Sequence, residues 1–160
     1  MQRDPGDLIS DRSAADVADS IVDFDESIAI REILADSPIL YDKIANACSI
    51  ERSEVANALR EVLRFLSLIA RYNMRLTPSH TVDLAWHEFI LCTRLYADFC
   101  RRHFGRFIHH HPGGKREENH DQFRQTIKLY NLRYGKAVER FWGVADIRGV
   151  EADCGACDAV

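Results

Sequence analysis

Between Val82 and Pro112 the chain reads VDLAWHEFILCTRLYADFCRRHFGRFIHHHP, which holds five of its seven histidines and two of its five cysteines. Imidazole, thiolate and carboxylate are the side chains that ligate transition metals, so the stretch points to a metal site. Asp83 and His87 stand four residues apart, one helical turn. At that spacing the carboxylate can share an ion with the imidazole, or orient it by accepting its second N–H. The same spacing fits a solvated helix face, with Asp83 near the N-terminus stabilising the helix dipole. His109, His110 and His111 follow Gly105 in a loop that can fold back toward His87. Two imidazoles and one carboxylate make the facial set of a non-haem iron or zinc centre with open positions. Adjacent side chains in an irregular loop point apart, so the three loop histidines do not all reach one ion. A solvated polar loop is the competing reading.

Cys154 and Cys157 form a CxxC with Gly155 between them, the spacing by which two thiolates grip one zinc from a tight turn. That is half a zinc site: loop histidines could complete it, the pair could be redox-active, or the thiols could be idle. Cys48, Cys92 and Cys100 fall on apolar helical faces and read as small core residues. His87-Glu88 begins like HExxH, but Leu91 stands where the second histidine is required, which excludes a zincin helix. There is no glycine-rich phosphate loop and no GxSxG. The cofactor expected is a zinc or iron ion, and whether the protein is an enzyme is left open.

The elements that must position these residues read as helices throughout. Ile28, Ile30, Ile33 and Leu34 suggest a short helix ending before Pro38, and a second runs from about Leu40 to Cys48. Val55, Leu59, Val62, Leu63, Leu66, Ile69 and Ala70 keep the 3.6-residue period in a third, which reaches Tyr72. Thr77-Pro78 starts a helix expected to run unbroken to Phe104, apolar on most sides and therefore central. At about 100° per residue, that helix puts Asp83, His87, Arg94 and Asp98 on one face and Trp86, Phe89, Tyr96 and Cys100 on the packing face; His103 falls toward the apolar side. A loop over 109–119 leads to a last helix from about Asn119 to Trp142. The expected fold is all-α, a compact orthogonal bundle of about five helices around a buried central helix. Residues 21–145 form the domain, 1–20 a flexible acidic lead-in and 146–160 an acidic tail carrying the CxxC.

Asp42 to Arg64 resembles a helix-turn-helix, a short helix, a turn at Cys48-Ser49 and a second helix presenting Arg52, Arg60 and Arg64. The turn lacks the usual glycine, and an ordinary helical pair accounts for the same residues. A nucleic-acid-binding regulator is nonetheless an alternative function, and a protein-interaction adaptor working through the acidic ends is another.

The stretch from Val82 to Pro112 is also similar to the core motif of the glycine-rich domain-containing protein-like family, in which VDxxWH precedes a Tyr, a Cys and a Gly before a His-bearing loop. The likeness is carried by Val82, Asp83, Trp86, His87, Tyr96, Cys100, Gly105, His109 and His110, with LYNLRYG, FWG and CGAC further on. It covers about residues 40 to 157 and resembles the short bacterial type, since the chain has eight glycines and no glycine-rich tract. The resemblance implies a small helical fold and the grouping of Asp83, His87 and the histidine loop. It implies no reaction.

Net charge is −4, but residues 1–27 hold eight acids against two bases and residues 146–160 four against one, leaving 18 bases and 13 acids between them. The body is mildly basic under acidic ends, which permits an anionic partner. No apolar run approaches the ~20 residues of a membrane helix, so no membrane partner is expected. The N-terminus lacks the basic and apolar regions of a signal peptide, and an odd number of cysteines spread through helices suits a reducing compartment. The expected location is the cytoplasm, with a protein partner open.

Overall fold

A computed structural model of the chain describes residues 23–111 and 113–143. Cys154, Cys157 and both acidic ends expected at 1–20 and 146–160 lie outside the described residues. Within them the fold is all-α, with no strand. Helix α1 (Glu26–Asp36) starts at Asp25, whose carboxylate accepts from the Ser27 and Ile28 amides, and it ends ahead of Pro38. Helix α2 (Leu40–Cys48) closes on Ser49 in the left-handed region. A 3-10 turn over Arg52–Glu54 then enters α3 (Val55–Tyr72), which Asn73 closes, also left-handed.

The centre is shared by α3, which buries ten residues, and α4 (His80–Leu91), which packs on α2 and α3. The helix expected over 78–104 is two helices. Cys92, at φ −80 and ψ 61, closes α4 with its N–H on the Phe89 carbonyl and opens α5 (Thr93–Phe104) with its carbonyl on the Tyr96 amide. A straight helix of that length would extend about 40 Å, beyond the body of a small domain. The corner lets Trp86 and Phe89 from one side, and Tyr96, Phe99 and Cys100 from the other, enter a common core. It also carries Arg94 and Asp98 off the face of Asp83 and His87, and both are exposed.

The last expected helix is likewise divided, into α6 (Arg116–Tyr134) and α7 (Glu139–Trp142), with Gly135 at φ 80 between them. The short α7 is held by two buried polar contacts. Glu61 on α3 accepts from Tyr130 Oη at 2.5 Å and from Trp142 Nε1 at 2.7 Å. Ser79, the N-cap of α4, donates to the Phe141 carbonyl at 2.5 Å while accepting from the Val82 amide. No described helix is long and apolar enough to cross a membrane.

Candidate metal centre

Asp83 lies in the first turn of α4 and His87 one turn on, so local helix geometry alone points both side chains the same way. The third partner comes from the chain after α5. Gly105, left-handed at φ 67, reverses the backbone at the end of that helix. The returning strand of loop is then pinned by a buried relay: Trp86 Nε1 donates to Tyr96 Oη at 3.1 Å, and Tyr96 Oη donates to the Ile108 carbonyl at 2.7 Å. Two residues beyond that anchor, His110 sits with its ring 4.6 Å from Trp86 and 4.3 Å from His87.

Asp83, His87 and His110 therefore converge. His110 Nε2 is 2.8 Å from Asp83 Oδ1 and 2.9 Å from His87 Nε2, while His87 Nε2 is 3.8 Å from Asp83 Oδ2. All three ligand atoms lie within 4.8 Å of one another. Donors bonded to one ion at roughly 2.0–2.2 Å stand about 3–3.5 Å apart, and the separations of 2.8, 2.9 and 3.8 Å fall a few tenths of an ångström to either side. Exposure grades outward, from an Asp83 side chain at 1% through His110 at 15% to His87 at 40%.

Protons satisfy this arrangement only in part. A ring nitrogen carries either a hydrogen or a lone pair, never both. With a hydrogen on His110 Nε2, one three-centre bond can serve Asp83 Oδ1 and a lone pair on His87 Nε2, but it offers nothing to Asp83 Oδ2. Asp83 Oδ2 is buried and has no hydrogen-bond partner among the described residues, a costly condition for a carboxylate oxygen. A divalent cation among the three ligand atoms would satisfy that oxygen.

The other two histidines of the loop are placed elsewhere. His109 is exposed, with its ring against Phe107, and His111 is exposed, with Nδ1 3.2 Å from the His109 carbonyl. Neither joins Asp83 and His87. The thiols of Cys48, Cys92 and Cys100 are free. Burial, with Glu88 adding to it, pushes the Cys48 thiol up to about 11, and burial raises Cys100 as well. That behaviour belongs to core residues, not to thiolate ligands. His103 stacks between Phe24 and Phe99, off the site.

Each of the helix-turn-helix arginines has a partner within the fold. Arg52 pairs with Asp42, Arg60 with Glu26 and Asn57, and Arg64 with Glu26 at 3.0 Å and with Tyr130. Arg60 and Arg64 lie on α3, which packs against α1, α2, α4 and α6, and Arg52 lies in the 3-10 turn that precedes it.

Sequence reasoning assigned Trp86 and Tyr96 to packing alone and missed that they fix the histidine loop. The acceptor is a backbone carbonyl, which leaves no mark in side-chain spacing. It also missed Arg75 and Arg106, which come from separate segments to one cavity beside the triad.

A family model described as UCP032817-like matches residues 36–134, well over half the chain. The chain belongs to this family. The matched region contains Asp83, His87 and His110 together with Trp86, Tyr96 and Gly105, and stops short of α7. The family is uncharacterised. No curated protein and no solved structure matches the chain.

Proposed function

We propose that the protein is a metal-binding helical domain whose ion, zinc or iron, is held by Asp83, His87 and His110. The observation that carries this is the convergence of three ligand atoms beside a buried carboxylate oxygen, Asp83 Oδ2, that no donor among the described residues satisfies. Neutral imidazoles with one carboxylate suit zinc and ferrous iron equally. Three protein ligands leave positions open, and an ion so held acidifies a bound water, which is the requirement for hydrolytic chemistry. The motif shared with the glycine-rich domain-containing protein-like family contains all three ligands, and we read the motif as the metal-holding unit. Free thiols at Cys48, Cys92 and Cys100 support a reducing compartment such as the cytoplasm.

Elemental analysis of protein purified anaerobically tests the reading, with cobalt substitution reporting the ligand field. Near-stoichiometric metal is expected in the parent protein, with a loss of at least tenfold in affinity in each of His87→Ala and His110→Ala. His109→Ala and His111→Ala should bind as the parent does. Metal-free parent protein that also takes up no cobalt would end the proposal. A Cys154→Ser/Cys157→Ser double variant decides whether the CxxC contributes: unchanged affinity removes both cysteines from the ligand set.

A further inference from the structure

The cavity beside the triad, of about 260 Å³, has Asp83 and His110 in its wall. It also has two guanidinium groups, Arg75 and Arg106. Arginines elsewhere in the fold commonly pair with carboxylates: Arg124 with Asp121, Arg133 with Asp23, Arg140 with Glu54. These two differ. Arg75 is exposed and has no hydrogen-bond or ion-pair partner among the described residues. Arg106 reaches only the Ile69 carbonyl, at 3.4 Å, and meets no carboxylate among the described residues. The wall's acids are Asp83 and Glu118, and Asp83 is a proposed ligand.

The apolar part of the wall is also unusual. Phe107 and Met74 are large hydrophobic side chains left 41% and 40% exposed, and both border this cavity. Exposed apolar groups beside unpaired cations in a concave site form a surface that is amphipathic in the same way as a small organic acid.

We propose that this cavity binds a small organic anion, its oxyanion paired with Arg75 and Arg106 and its apolar body laid on Phe107 and Met74. Guanidinium groups serve carboxylate and phosphate oxyanions alike through paired N–H donors, so the shared chemistry is a compact oxyanion on an apolar stem. The proposal rests on the metal-site reading for the ion in the cavity wall, whereas the two guanidinium contacts stand without it.

The test titrates the cobalt-loaded full chain with phenylacetate, phenyl phosphate and the neutral phenylacetamide, following the cobalt visible spectrum and the heat of binding. At least one acid should bind tenfold or more tighter than the amide, and the stronger of the two identifies the oxyanion. An Arg75→Gln/Arg106→Gln double variant should lose at least tenfold of that affinity while taking up cobalt as the parent does. Equal affinity for acid and amide, or unaltered acid affinity in the double variant, would overturn the proposal. If the protein takes up no cobalt, the metal reading fails by itself. The same calorimetric titration of the metal-free chain then decides the cavity, with arginine-dependent binding supporting it and its absence sinking it.

Discussion

A buried carboxylate is stable where donors or a cation satisfy both oxygens, and Asp83 has a partner for one. The fold therefore carries at this residue a cost that an ion would relieve. Asparagine has the same shape without the charge. Asp83→Asn should reduce metal affinity by at least two orders of magnitude, yet leave the metal-free protein as stable as the parent or more so, as expected of a residue retained for function. Paired urea denaturation and metal titration of the two proteins check both halves. The Asp83–His87 pair is legible in sequence because one helical turn fixes their spacing whatever surrounds them. Which of three consecutive histidines turns inward is not legible, because it depends on where Ile108 is anchored.

At the scale of elements, the corner at Cys92 and the relay from Trp86 through Tyr96 to Ile108 jointly place the loop. The expected single helix over 78–104 fails because ψ at one residue is set by packing between α4 and α5, which apolar periodicity does not report. The end of α1 before Pro38, the span of α2 and the length of α3 are legible, each being fixed by a local stop signal or a sustained period. Tyr96→Phe removes one hydroxyl that serves both Trp86 Nε1 and the Ile108 carbonyl, stranding two buried groups. The expected cost is about 1–3 kcal/mol for an unsatisfied buried polar group. Metal affinity should fall with it, since His110 would lose its fixed approach. Denaturant melts give the first quantity and cobalt titration the second. A variant that lost stability while holding cobalt as tightly as the parent would show that the relay serves packing alone.

Over the whole molecule, charge and burial set how stability responds to acid. His103 sits between aromatic rings, and burial, with Arg102 nearby, lowers its pKa below the ordinary 6.5, against a smaller opposing pull from Glu32. Because the folded value is depressed, the unfolded chain takes the proton first as pH falls below about 6.5. Stability therefore rises with pH across that window and is lost on acidification. His103→Phe keeps a ring in the stack and removes the titration, so its urea midpoint should change less than the parent's between pH 7 and pH 5.5. The comparison is made on metal-free protein, where ion release by His87 and His110 cannot contribute.

The contacts of α7 also bear on when the chain can fold. The proposed ligands lie between residues 83 and 110, but Glu61 and Ser79 complete their hydrogen bonding only when Phe141 and Trp142 arrive. A nascent chain that has emerged only as far as residue 134 has not supplied those partners. Until then Glu61 is a carboxylate short of one donor, and the N-cap of the helix bearing Asp83 lacks its acceptor. The proposed metal site would therefore be completed only once residues 141 and 142 are in place. A fragment of residues 23–134, which keeps α1 and lacks only α7, should remain largely unfolded by circular dichroism and bind cobalt no more tightly than a denatured chain.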